Sequence, residues 1–259
     1  MKTLLIDCGN SRVKWSVFGA HRLGRSRALQ WGAGSPGRLC DALFRQAGRV
    51  DAVLVCSVAG VAVERALRGA ARRAHAPRPQ FVRSGRHLAG LTNGYEEPWR
   101  LGIDRLVGAI GAWYAGNGST GDGRRAVLVA DIGTAMTLDL VDASGRHRGG
   151  AIVPGPALMV QSLLGGTAGI RRRAQGGARR SRGLYARGTA AALDAGARYA
   201  SAALIQRALA EARALLGRRP RLVLTGGAAP AIAALLGRRG LALEPDLVIH
   251  GLAVLAYSH

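Results

Sequence analysis

The chain opens with an apolar run, Leu4–Ile6, that feeds an Asp-x-Gly turn at Asp7–Gly9, after which Val13, Trp15 and Val17 alternate with more polar positions. This is the pattern of strand, tight turn, strand. It returns in the second half, where Val127–Ala130 runs into Asp131–Gly133 and Leu138 and Leu140 alternate behind it. Asp7, Gly9 and Asn10 align with Asp131, Gly133 and Thr134. A repeat of this length predicts two related domains and not a solenoid. After the first hairpin the periodicity predicts a helix over Arg38–Ala47, a strand over Ala52–Val58, a helix over Val61–His75 and a short strand at Phe81–Val82. In the second half Leu193, Ala197, Ala200, Leu204, Ala208, Ala212 and Leu215 step by three and four, which predicts a helix over Asp194–Leu216. Arg221–Thr225 reads as a buried strand stopping at Gly226–Gly227, with helices over Ala228–Gly237 and His250–Tyr257 to follow. NGSTGDG, from Asn117 to Gly123, has the composition of a connector. The expected architecture is two α/β domains, 1–117 and 118–259, each led by a hairpin and separated by a cleft.

Composition narrows the class. A chain of 259 residues at 48% apolar can bury one large core or two modest ones, which excludes a disordered chain and a disulfide mini-protein. Cys8, Cys40 and Cys56 form no C-x-x-C pair, and the six histidines show no metal-ligand spacing. No stretch approaches the roughly eighteen apolar residues of a membrane span. The N-terminal apolar run is too short for a signal-peptide core, so a cytoplasmic location is expected. The net charge is +22, yet of 37 basic residues only Lys2 and Lys14 are lysines, and the arginines are spread along the whole chain. Local knots stand at Arg171–Arg173 and Arg179–Arg182, and the aromatics, 5% of the chain, do not interleave with them. Such a distribution favours a solvated surface over a nucleic-acid interface.

The two turns carry the chemistry. A polyphosphate needs backbone N–H donors at close range and a cation held by carboxylates. Gly9 and Gly133 let the backbone approach an anion, Asn10, Ser11 and Thr134 add side-chain donors, and Asp7 and Asp131 stand at strand ends. Lys14 lies on the second strand within reach of the first turn. One such turn alone is ordinary hairpin chemistry; two copies point to a phosphate clamp. GIDRLVGAIGAWY reads as a helix start, where exposed N–H groups and the helix dipole keep Asp104 ionised.

The duplication resembles the actin, hexokinase and Hsp70-type ATPase superfamily, which implies two duplicated ribonuclease H-like domains with the ATP cleft between them. Within it, DCGNSRVK at 7–14, GIDR at 102–105, DIGTAMT at 131–137, GGAIVPG at 149–155 and TGG at 225–227 resemble the type III pantothenate kinase family in wording and order. The resemblance implies ATP-dependent phosphorylation of pantothenate to 4'-phosphopantothenate, the first step of coenzyme A biosynthesis. It assigns ATP phosphates to Asp7, Cys8, Gly9, Asn10, Ser11, Arg12, Val13 and Lys14, with Asp7 near Mg²⁺ through water. It adds Gly133 and Thr134 as ATP contacts, Gly226 and Gly227 as the adenosine support, and Asp131 as ligand of a monovalent cation, potassium or ammonium. Pantothenate falls to Tyr95, Gly102, Ile103, Asp104, Arg105 and Thr189, with Asp104 as general base. Around Thr189 the chain departs from the family wording, reading Gly169-Ile170-Arg171 and Ala186-Arg187-Gly188 where the family has Leu-Pro and Gly-Lys/x-Asn. A homodimer is implied by the same resemblance. The alternatives are a related small-molecule kinase and a nucleic-acid-binding or regulatory accessory protein on the same fold.

Overall fold

The structure is a computed structural model that describes residues 1–31, 35–117, 125–176, 181, 183–237 and 240–257. The expected connector lies outside the described residues beyond Asn117, as does the second arginine knot apart from Ser181. The first half runs β1 (Lys2–Cys8), β2 (Arg12–Gly19), β3 (Arg22–Leu23), β4 (Arg27–Gln30), α1 (Pro36–Ala47), β5 (Ala52–Ser57), α2 (Val61–Arg73), β6 (Gln80–Phe81), β7 (His87–Leu88), β8 (Leu91–Thr92) and α3 (Ile103–Asn117). The second half runs β9 (Val127–Ile132), β10 (Ala135–Val141), β11 (His147–Pro154), α4 (Pro156–Gly166), α5 (Ala168–Arg173), α6 (Thr189–Leu216), β12 (Arg221–Thr225), α7 (Ala229–Leu236), β13 (Leu241–Leu243) and α8 (Leu247–Tyr257).

The two larger sheets repeat one topology. The first has the order β3-β2-β1-β5-β6, with β4 also on β2, and the second β11-β10-β9-β12-β13. In each, the hairpin is antiparallel and the next two strands join it in parallel. The duplication read from the two turns is therefore a duplication of sheet order, and the α/β expectation holds.

By compactness the chain divides into one unit of Met1–Arg124, Ala143–Arg148 and Asp246–His259, and a second of Arg125–Asp142 and Gly149–Pro245. The boundary drawn from the sequence at 117/118 keeps each half continuous, whereas the β10–β11 turn and α8 group with the first unit.

In the first unit β1 is buried on both faces, which explains its unbroken apolar run. Leu4, Ile6 and Cys8 join α1 and α2, while Leu5 joins Cys56, Ile103, Val107, Ile249 and Leu252 on the side of α3 and α8. Strand alternation then puts Asp7 on the α3–α8 side. Those two helices approach closely, because a Cβ added to Gly111 would stand 2.8 Å from Gly251 N and one added to Gly251 would overlap Val107 O. In the second unit Leu128, Ala130 and Ile132 pack under α6 and α7 through Ile205, Leu209 and Ile232. The buried face of α6, Ala191, Ala195, Ala197, Ser201, Ala202, Ile205, Leu209 and Ala212, shares only Ala197 and Ala212 with the expected stripe, and Leu215 is 58% exposed. Small alanines are what the sheet surface admits, and they weigh little in a hydrophobicity pattern.

Candidate active site

The first turn is closed by Gly9 N–H donating to Arg12 O at 3.1 Å, which leaves Asn10, Ser11 and Arg12 exposed at the end of the hairpin. Asp7 stands directly opposite Lys14 in the β1–β2 register and beside Cys56 in the β1–β5 register. Lys14 Nζ lies 3.3 Å from Asp246 Oδ1, the residue that leads into α8. Asp7 and Asp104 act on one point: burial first, then these two carboxylates, push the Cys56 thiol well above its ordinary value. Burial and Asp7 likewise raise Cys8. Strand alternation, register and electrostatics thus bring Asp7, Lys14 and Asp104 to the same face of the first sheet.

Asp104 occupies the first turn of α3, where the helix dipole favours a carboxylate. Its Oδ1 accepts the Arg105 N–H at 2.9 Å, and it folds back over Gly102, where an added Cβ would stand 2.7 Å from that oxygen. Arg105 Nη1 donates to Tyr95 OH at 2.8 Å, with the guanidinium 5.7 Å from the ring centre. Tyr95 is positioned in turn. Its ring centre is 5.8 Å from that of the buried His147, and its N–H donates to Asn93 Oδ1 at 3.0 Å. Asn93 is itself buried and donates to Gly85 O and Pro98 O, while Arg86 donates to the carbonyls of Asn93, Tyr95 and Glu96. Gly94 leaves no room for a side chain, because an added Cβ would overlap the His147 carbonyl. Tyr95, Asp104 and Arg105, all selected from the sequence, form one connected group.

The second turn is built the same way. Gly133 N–H donates to Ala135 O at 3.0 Å, and Gly133 and Thr134 are exposed at its tip. Gly155, at the end of the GGAIVPG segment, donates to Thr134 O at 2.9 Å, and an added Cβ would lie 2.8 Å from that oxygen and overlap Gly133 O. Gly226 follows β12, whose Thr225 is in register with Asp131. Its φ of +91° suits glycine, and a Cβ there would be 2.5 Å from Asp131 Oδ1 and 2.6 Å from Ile132 N. So Gly226 makes room for Asp131, while Gly227 is exposed beside it. A groove of about 1160 Å³ lies in the second unit, lined among others by Pro156, next to Gly155, by Ala228, next to Gly227, and by Val160, Leu193, Ala231 and Ile232. Thr189 is the first residue of α6, next to the groove-lining Ala190.

Trp31, Asp246, Asn93 and Gly155 were not singled out in the sequence as site residues. Trp31 and Asp246 carry no local signal, since their partners are distant in the chain. Asn93 sits in an Asn-Gly pair, a turn signal that marks the place without revealing what it holds. Among the described residues no cluster of three or more His, Cys, Asp or Glu could hold a metal ion, and no helix is long and apolar enough to cross a membrane.

A family model described as type III pantothenate kinase matches residues 3–211. The chain belongs to the type III pantothenate kinase family. A relative of that description from Nitrosococcus oceani is 35% identical over 253 residues, covering 98% of this chain and 93% of its own. One from Albidiferax ferrireducens is 37% identical over 231 residues, covering 88% and 87%. Among solved structures, a Campylobacter jejuni protein described as a Baf family transcriptional activator superposes with a TM-score of 0.61 at 18% identity, covering 98% of both chains. A glucokinase from an Antarctic psychrotroph gives 0.51 at 10% identity, covering 100% of this chain and 99% of its own. Likeness at these identities speaks for the fold alone, that of the actin- and hexokinase-like ATPases. The five motifs read from the sequence thus led to the right family.

Proposed function

We propose that this chain transfers the γ-phosphoryl group of ATP to the terminal hydroxyl of pantothenate, the first step of coenzyme A biosynthesis, in the cytoplasm. The observation that carries the reading is the convergence of Asp7, Lys14 and Asp104 on one face of the first sheet, in a chain of this family. Phosphoryl transfer passes through a loose transition state and asks for positioning and charge neutralisation more than for covalent help. Asp104 accepts the hydroxyl proton as the oxygen attacks. Arg105, held by Tyr95, offers a fixed guanidinium to the pantothenate carboxylate, and Thr189 is assigned to the same substrate. The backbone of Gly9–Arg12 and the Lys14 ammonium bind ATP phosphates, joined by Gly133 and Thr134.

The groove beside Gly226 and Gly227 suits adenosine, being apolar along Val160, Leu193 and Ile232. Asp7 offers a carboxylate that would hold Mg²⁺ through water, and Asp131, for which Gly226 makes room, one that would hold potassium or ammonium. Bound there, such ions would supply positive charge against the phosphates. Ile152, Leu158 and Leu163 on β11 and α4 are 63%, 37% and 44% exposed, an apolar surface suited to a second copy of the chain.

The test is ADP release with ATP and Mg²⁺, with and without pantothenate, in potassium and then in sodium. ADP release that requires pantothenate and is faster in potassium is expected. Folded protein with no pantothenate-dependent ADP release in either salt refutes the reading.

A further inference from the structure

Trp31 follows β4, which lies on β2 with Gln30 opposite Arg12, so the chain passes the first phosphate loop as it leaves the sheet. The Trp31 indole N–H donates to Gly9 O at 2.7 Å, and its backbone N–H donates to Ser11 O at 3.2 Å. The ring is partly buried against the apolar cluster that contains Val13 and Trp15. Both peptide units it grips are trans. In a trans peptide the carbonyl and the following N–H point in opposite directions. Drawing the Gly9 carbonyl to the indole therefore turns Asn10 N–H the other way, and holding the Ser11 carbonyl does the same for Arg12 N–H. Two carbonyl dipoles that would repel a phosphate are engaged, and two N–H dipoles that attract one are aimed to the opposite side.

We propose that Trp31 is a positioning residue for ATP, which preorganises the Gly9–Arg12 backbone as a phosphate cradle before the nucleotide arrives. The inference rests on the reading of this loop as an ATP site. Preorganisation raises affinity by removing the cost of ordering the loop on binding, so its loss should weaken nucleotide binding and leave the transfer step alone.

Trp31→Phe keeps an aromatic ring and removes the indole donor. The ATP KM should rise about three- to tenfold, as for one lost hydrogen bond, with kcat and the pantothenate KM changed less than about twofold. Lys14→Met is the control on the loop itself. A raised ATP KM in Lys14→Met with an unchanged one in Trp31→Phe overturns the role of Trp31 alone. Unchanged values in both overturn the ATP reading of the loop and this inference with it. A fall in kcat that matches the rise in ATP KM also overturns it, since positioning before binding does not predict that. In the unsubstituted enzyme the assigned indole N–H resonance of Trp31 should shift on titration with ATP. A resonance that stays fixed refutes the proposal whatever the variant does.

Discussion

Alanine at Gly226 should damage the second unit and its nucleotide site together. Two costs add there. The φ of +91° lies in the region L side chains avoid, a penalty of about 1–2 kcal/mol. The new Cβ would also stand 2.5–2.6 Å from Asp131 Oδ1 and the Ile132 backbone. These neighbours include strand backbone that cannot simply swing away, and overpacking of this kind costs about 1–3 kcal/mol. The expected loss is about 2–5 kcal/mol, read from the urea unfolding midpoint of Gly226→Ala at constant m-value. Gly196→Ala is the matched control. Gly196 lies inside α6, is exposed, and has nothing within 4 Å of its added Cβ, so alanine there should stabilise by about 0.5–1 kcal/mol. The same pair separates in function, because displacement of Asp131 should raise the ATP KM in Gly226→Ala and weaken the proposed preference for potassium. Unfolding of Gly226→Ala within about 1 kcal/mol of the unsubstituted chain, or early unfolding with ATP binding and the response to potassium unchanged, refutes this role for Gly226.

Asp104→Asn should keep ATP affinity within a few-fold while kcat falls by about 10²–10⁴, the usual contribution of a general base; full activity in that variant removes Asp104 from the role. Gly94→Ala should raise the pantothenate KM more than the ATP KM, because the added methyl overlaps the His147 carbonyl and shifts Tyr95 away from Arg105; steady-state kinetics with each substrate varied in turn checks this. The thiols give a pH prediction. Burial, aided by Asp41 and opposed by Arg73, pushes Cys40 from 9.0 up to about 11, so the native state keeps a proton that the unfolded chain releases. Stability contributed by this group is whole below about pH 9 and is lost as the pH rises to about 11. Urea midpoints at several pH values across that window should fall in unsubstituted protein and fall less in Cys40→Ala.

What was legible in the sequence follows from how local each cause is. β12 was read at Arg221–Thr225 as observed, and both hairpins were placed by an apolar run ending in Asp-x-Gly, because strand burial and turn geometry act over a few residues. The ends of α1, α2 and α8 moved by only a few residues. By contrast, α4 and α5 were missed. PALMVQSLLGG is apolar nearly all round and buries only Pro156, so it offers no period for a solvated helix to show. β11 carries Gly149, Gly150 and Pro154, residues that strands usually avoid, and it was visible as a motif without being visible as a strand. The same division runs through the candidate site. Asp7, Lys14, Asp104 and Asp131 are strand-end and helix-start residues whose settings are written beside them. The residues that hold them come from elsewhere: Asp246 reaches Lys14 across 232 positions, and Trp31 reaches Gly9 across 22. The His147 carbonyl beside Gly94 likewise arrives at the start of β11. A motif therefore names the groups proposed to meet phosphate and pantothenate, whereas the geometry that holds those groups depends on contacts that only the folded topology brings together. That is why Trp31, with no motif of its own, is the sharper test of the site: its assignment stands on position alone.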